Sequence, residues 1–198
     1  MNVYNGGITR EQFLFKEARI VAKLKLDGYS DSQILEEVKE HNLFQYPTEK
    51  MISNIAQVCI KRLAYLEDIN LIHLLANGNY ETAKQIHFYS LLKKERILRE
   101  FMLQVIAQKY QDLDFSFSKS DIKLFLNHLR DFDEGVASWS DKTMIKIGQV
   151  LQKMLLEMGY LDKHDSKTLN KVLLEYEVER LIIDNGDKYL LPIFNKVM

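Results

Sequence analysis

Pro47 and Pro192 are the only prolines in 198 residues. Proline removes a backbone donor and clashes with the preceding helical turn. Its scarcity leaves room for long helices and disfavours an all-β fold, which needs frequent turns. Helix starts are correspondingly easy to read. Thr9 with Gln12, Ser30 with Gln33, and Ser118 with Asp121 have capping-box spacing, in which a hydroxyl accepts a backbone N–H and the third residue reaches back. Thr48 and Ser140 are further N-cap candidates. Stops are equally clear at Asp27-Gly28, where glycine can take the left-handed cap, and at Asn77-Gly78 and Gly159.

Between these signals the apolar residues recur at helical spacing. Phe13 to Leu24, Ile34 to Val38, and Met51 to Leu66 form three amphipathic stretches. Asn42 to Pro47 reads as a turn whose Leu43, Phe44 and Tyr46 pack inward. A fourth helix covers Asp68 to Ala76. A long one runs from Tyr80 to about Tyr110, with a break expected near Lys93-Lys94. Asp112 to Ser118 is a polar connection. A helix to Phe132, a loop over Asp133 to Ser138, and a helix from Ser140 to Met158 follow. In the tail, Lys167 to Leu174 reads as strand or weak helix, and Glu175 to Asp184 as helix. Asn185-Gly186 is a helix stop or a hairpin turn, and Tyr189 to Phe194 an edge strand or a helix start. The expected fold is all-α or mainly α: a helical bundle with two helix-turn-helix-like units, with or without a small C-terminal β-ribbon serving as a wing. The expected segments are 1–66, a helix-turn-helix-like subdomain, 67–114, central helices, and 115–198, a winged-helix-like subdomain.

The two best-capped helices carry the same pattern. Aligned at Thr48 and Ser140, Lys50 meets Lys142, Ile55 meets Ile147, Gln57 meets Gln149, Val58 meets Val150 and Lys61 meets Lys153. Lys50, Asn54, Gln57 and Lys61 fall at i, i+4, i+7 and i+11, on one helical face; Lys142, Lys146, Gln149 and Lys153 do the same. Lysine neutralises phosphate, and Asn or Gln can bond in pairs to adenine edges. A capped helix after a shorter helix and a turn is the layout of a helix-turn-helix. These eight residues, with Arg62 beside the first stripe, are the candidate contacts to double-stranded DNA. The bland alternative is that any amphipathic surface helix has a polar stripe.

Charge constrains that reading. The formal net charge is -1, so DNA is held by a few aligned lysines rather than by bulk charge. A mean hydropathy of -0.23, no apolar run of roughly 18 residues and no signal-peptide order in Met1 to Arg10 lead to the expectation of a cytoplasmic protein without a membrane span. Cys59 is the only cysteine, so neither an intramolecular disulfide nor a cysteine zinc finger is expected. The five histidines form no HExxH, and Gly6-Gly7 is too short for a phosphate loop. No catalytic residue, metal site or cofactor is therefore expected, and the chain reads as a non-enzyme.

The segments YNGGITREQFLFKEARIVAKLKLDGYSDSQILEEV, NLFQYPTEKMISNIAQVCIKRLAYL and SWSDKTMIKIGQVLQKMLLEMGYL resemble the BrxA family of BREX phage-defence systems. The similarity runs in order along nearly the whole chain and is weakest after Lys163. The resemblance implies a mainly helical cytoplasmic protein with DNA-binding, helix-turn-helix-like features and other BREX proteins as partners. It supplies no catalytic residues. Two functions follow as expectations: a non-enzymatic DNA-binding component, or a protein-interaction adaptor that holds defence subunits together without touching DNA.

Overall fold

A computed structural model describes residues 4–10 and 13–196. Eleven α-helices and no strand occur among them. By chain contacts they divide into two units, Phe13–Lys94 and a second containing Glu95–Met198 together with the N-terminal segment.

The Phe13–Lys94 unit contains α1 (Phe15–Leu26), α2 (Asp31–Glu40), α3 (Glu49–Leu63), α4 (Ile69–Asn77) and α5 (Tyr80–Lys94). α1 is central to it, packing on α2, α3 and α4 through Ala18, Val21 and Ala22, all fully buried. Small residues at this spacing let the neighbouring helices approach closely. α1 ends in the expected glycine cap: Gly28 sits at φ +88°, and the Tyr29 amide bonds the Leu24 carbonyl. Its start differs from expectation. Gly6–Arg10 is a 3-10 turn in which Thr9 Oγ1 bonds the Gly6 carbonyl. The α1 N-cap is Leu14, with no side-chain cap bond, and Gln12 lies outside the described residues. Ser30 and Gln33 form the expected reciprocal box at α2. The turn 41–48 is pinned by Asn42, whose side-chain amide bonds Tyr46 at both its N–H and its carbonyl. Tyr46 in turn donates to Glu17 of α1 at 2.7 Å.

α5 is buried over Thr82 to Leu92, polar residues included. Arg62 and His87 both meet the Phe13 carbonyl: Arg62 Nη1 at 3.0 Å, and His87 through Nε2. A carbonyl can only accept, so His87 carries its proton on Nε2. Its Nδ1 is buried without a hydrogen-bond partner. Burial, then the nearby Arg62 charge, pushes His87 down to about 3, so it is neutral.

In the second unit, α6 (Arg96–Phe101), a π-helical stretch (Met102–Ala107) and α7 (Gln108–Gln111) follow one another directly. The expected break is present at Glu95, which is extended at φ −99° and ψ 97°. α8 (Lys119–Phe132) starts at the Ser118–Asp121 box, where the Ser118 N–H and hydroxyl both donate to Asp121 Oδ2. The expected loop 133–138 contains a one-turn helix, α9 (Glu134–Ala137), because Asp133 Oδ1 caps the Val136 N–H. α10 (Asp141–Met158) runs from Ser140 to Gly159, at φ +82°, and α11 (Tyr176–Asp184) closes at Asn185-Gly186.

The β-ribbon is not observed among the described residues. One antiparallel bridge, Ser116 to Thr168, is all that strand pairing contributes. Lys188–Phe194 is instead a 3-10 turn with Leu190 to Phe194 buried. Pro192 lacks the N–H that a sheet ladder needs, while five consecutive buried side chains suit a wrapped turn better than an alternating strand. The loop after α10 is held by side chains: Gln152 donates to the His164 carbonyl and Tyr160 to the Ile193 carbonyl.

Candidate nucleic-acid interface

The structure forms both expected helix pairs, α2–α3 and α8–α10, with α9 inside the second turn. Each second helix is capped as its sequence predicts: Thr48 Oγ1 accepts the Met51 N–H at 3.3 Å, and Ser140 Oγ the Thr143 N–H at 3.2 Å. The caps satisfy orphan donors and fix where each stripe begins.

On α3, Lys50, Asn54, Gln57 and Lys61 are all exposed. Ile52, Ala56, Cys59 and Leu63 are buried on the opposite side. Arg62 does not join the stripe. It is fully buried and points to the Phe13 carbonyl, so it cannot reach a phosphate without unfolding its surroundings. On α10, Lys142, Lys146 and Gln149 are exposed and Lys153 is half-buried. Ile147, Leu151, Met154 and Leu155 form the buried side. Lys50, Lys61, Lys142 and Lys146 have no carboxylate partner among the described residues.

The partner helices differ in charge. α2 reads DSQILEEVKE, four acidic residues against one lysine. Its Lys39 is 3.8 Å from Glu49 at the start of α3. α8 carries Lys119, Lys123, Asn127 and Arg130 at i, i+4, i+8 and i+11, a third stripe of cations and amide. Lys119, Lys123 and Asn127 are exposed, and Arg130 donates to Asp141 at 2.8 Å. The same spacing rule that marks α3 and α10 finds this stripe, although it lies on the first helix of its pair, where a helix-turn-helix does not read bases.

A groove of about 630 Å³ lies between α8 and α10, bounded by this α8 stripe and by Asp141, Ile145 and Gln149 of α10. Gly148 shapes it: a Cβ there would lie 3.3 Å from Ile122 Cγ2, so the two helices approach where that side chain is missing. Among the described residues no group of three His, Cys, Asp or Glu side chains could hold a metal ion. No helix among them is long and apolar enough to cross a membrane.

A model of the BrxA family matches residues 2–186. The chain belongs to the BrxA family. It is 31% identical over 192 residues to a BREX protein BrxA from Bacillus cereus, covering 96% of both chains. A BREX protein BrxA from Escherichia coli O9:H4 is 24% identical over 95% of this chain and 88% of its own length. A crystal structure of an uncharacterized protein from Magnetospirillum magneticum superposes with a TM-score of 0.83 at 21% identity. It covers 96% of this chain and 97% of that one. That likeness shows a shared fold and assigns no role to any residue.

Proposed function

We propose that this BrxA-family chain is a non-enzymatic component of a cytoplasmic BREX-type phage-defence system that binds double-stranded DNA, mainly through phosphate contacts. Membership of the family supports the defence role and other BREX proteins as partners. The observation that carries the DNA reading is electrostatic. Lys142 and Lys146 stand exposed and without carboxylate partners on the second helix of a capped pair. The first helix of that pair adds positive potential from Lys119 and Lys123, which stand across the groove from the stripe. Unpaired ammonium groups gain most from displacing the counterions of a duplex. On α10 only Gln149 can make paired contacts to a base edge, so sequence preference from this helix is weak.

The test is fluorescence anisotropy of a labelled duplex across a salt series. Replacing Lys142, Lys146 and Lys153 by alanine should weaken binding at least roughly tenfold and flatten the salt slope by about 0.9 for each phosphate that is no longer neutralised. Unchanged affinity and slope would remove α10 from the interface.

A further inference from the structure

The α8–α10 groove is distinct from the lysine stripe. With ~100° between successive helical residues, Asp141, Ile145 and Gln152 lie roughly a quarter turn around α10 from the line of Lys142, Lys146 and Lys153. A duplex lying on the stripe touches the groove only at its edge, through Gln149, and leaves its floor and its α8 rim uncovered. We propose that this groove is a docking site for a short, acidic, amphipathic helix of a protein partner.

Three features specify that occupant. The first is an apolar floor. Ile122, Leu126 and Met144 line the groove, and Ile145 at its wall is 64% exposed. An apolar side chain this open in a concave site gains by burial against another apolar surface, and phosphate offers none. The second is charge. Lys119, Lys123 and Arg130 border the groove against one carboxylate, Asp141, which already accepts from Arg130. Lys119 and Lys123 have no acidic partner among the described residues, so carboxylates supplied from outside complement the rim. The third is shape. Lys119 to Arg130 spans roughly 16 Å of α8 at ~1.5 Å per residue, about three turns of a docked helix. A helix that lays i, i+3, i+4 and i+7 apolar residues in such a groove, and carries acids at its flanks, matches floor and rim together. A duplex is too wide and too rigid to enter a space of about 630 Å³.

The proposal goes beyond DNA binding and stands or falls separately from it. The test is display selection of random peptides against the full chain, followed by anisotropy of the enriched peptides. The comparison variant is I145N with K123Q. Both positions are exposed, and circular dichroism checks that the variant is folded. Enriched peptides should be net acidic, with apolar residues at helical spacing, and bind the wild-type chain at least tenfold tighter than the variant. They should also bind in the presence of saturating duplex DNA. Neutral or basic winners, equal affinity for the variant, no enrichment at all, or displacement of the peptide by duplex or single-stranded DNA would each overturn the docking site. I145N alone should leave duplex affinity within about twofold, whereas loss of duplex binding in the lysine-to-alanine variant of α10 should leave peptide affinity unchanged.

Discussion

α3 and α10 begin with the same cap chemistry and carry the same polar stripe, yet they stand in opposite electrostatic settings. α3 packs beside α2, with four acidic residues to one lysine; α10 packs beside α8, whose outer stripe is cationic. They also differ inside. Counting from the caps, Arg62 of α3 corresponds to Met154 of α10. Both are buried, but one is a charge held on a backbone carbonyl and the other an ordinary core side chain. The same surface pattern is thus built over a polar node in one unit and an apolar core in the other. A stripe gains its function from the neighbouring helix as much as from its own residues, since potentials at a surface sum over every nearby charge.

Breaking the polar node should have the largest effect. R62M makes α3 resemble α10 at that position, but it leaves the Phe13 carbonyl with His87 and no guanidinium. We expect a loss of about 3 kcal/mol, the order found when a buried, charge-assisted hydrogen bond is removed. Denaturant unfolding measures it. The exposed counterpart K61M should change stability by no more than about 0.5 kcal/mol.

The same node should make stability depend on pH. His87 lies well below its usual value in the folded chain, so between about 6.5 and 3 the unfolded chain binds the additional proton. Stability is then present above about pH 6.5 and falls as pH drops toward 3, by at most about 1.4 kcal/mol per pH unit from this group. Urea midpoints between pH 7 and pH 5 test it, a window above most carboxylate titrations. H87F should flatten the slope there, and an unaltered slope in H87F would rule His87 out as its source.

The two stripes should differ in DNA binding. K142A with K146A is expected to weaken a duplex complex roughly tenfold, and K50A with K61A only about threefold, because the acids of α2 already oppose the α3 lysines. Equal losses in a gel-shift series would show that the partner helix does not matter. Adding K39E on α2, beside α3, should weaken binding slightly more, and K123E on α8, beside α10, considerably more.

The smallest effect belongs to what the pairs share. T48A and S140A should each cost about 1 kcal/mol by thermal or chemical unfolding, since each removes one acceptor from an N-terminal amide. Similar losses in both would establish that the caps are equivalent even where the settings are not.

Much of the fold is legible along the chain. Ser30, Thr48, Ser118 and Ser140 mark their caps, Gly28 and Gly159 their stops, and the break falls at Glu95, next to the Lys93-Lys94 position where it is expected. Each depends on residues within four positions of one another. The exceptions also have reasons. Thr9 reads like a cap, but its hydroxyl turns back to Gly6 in a 3-10 turn, and the true α1 start at Leu14 has no side-chain signal. Arg62 sits between stripe and core on the helical wheel, and periodicity cannot say to which it belongs. The tail misleads because a short apolar run around proline has no decisive period.

Sequence alone determined most of the helices, their capped ends, the two cap-aligned stripes and the family, because side-chain-to-backbone caps and the 3.6-residue period act within a few residues of chain. Tertiary structure decided that Arg62 turns inward to Phe13, that the cationic stripe of α8 stands beside α10, that a groove opens beside Gly148, and that Lys188–Phe194 wraps as a turn. Burial and local charge depend on which helices meet, and those meetings join residues dozens of positions apart.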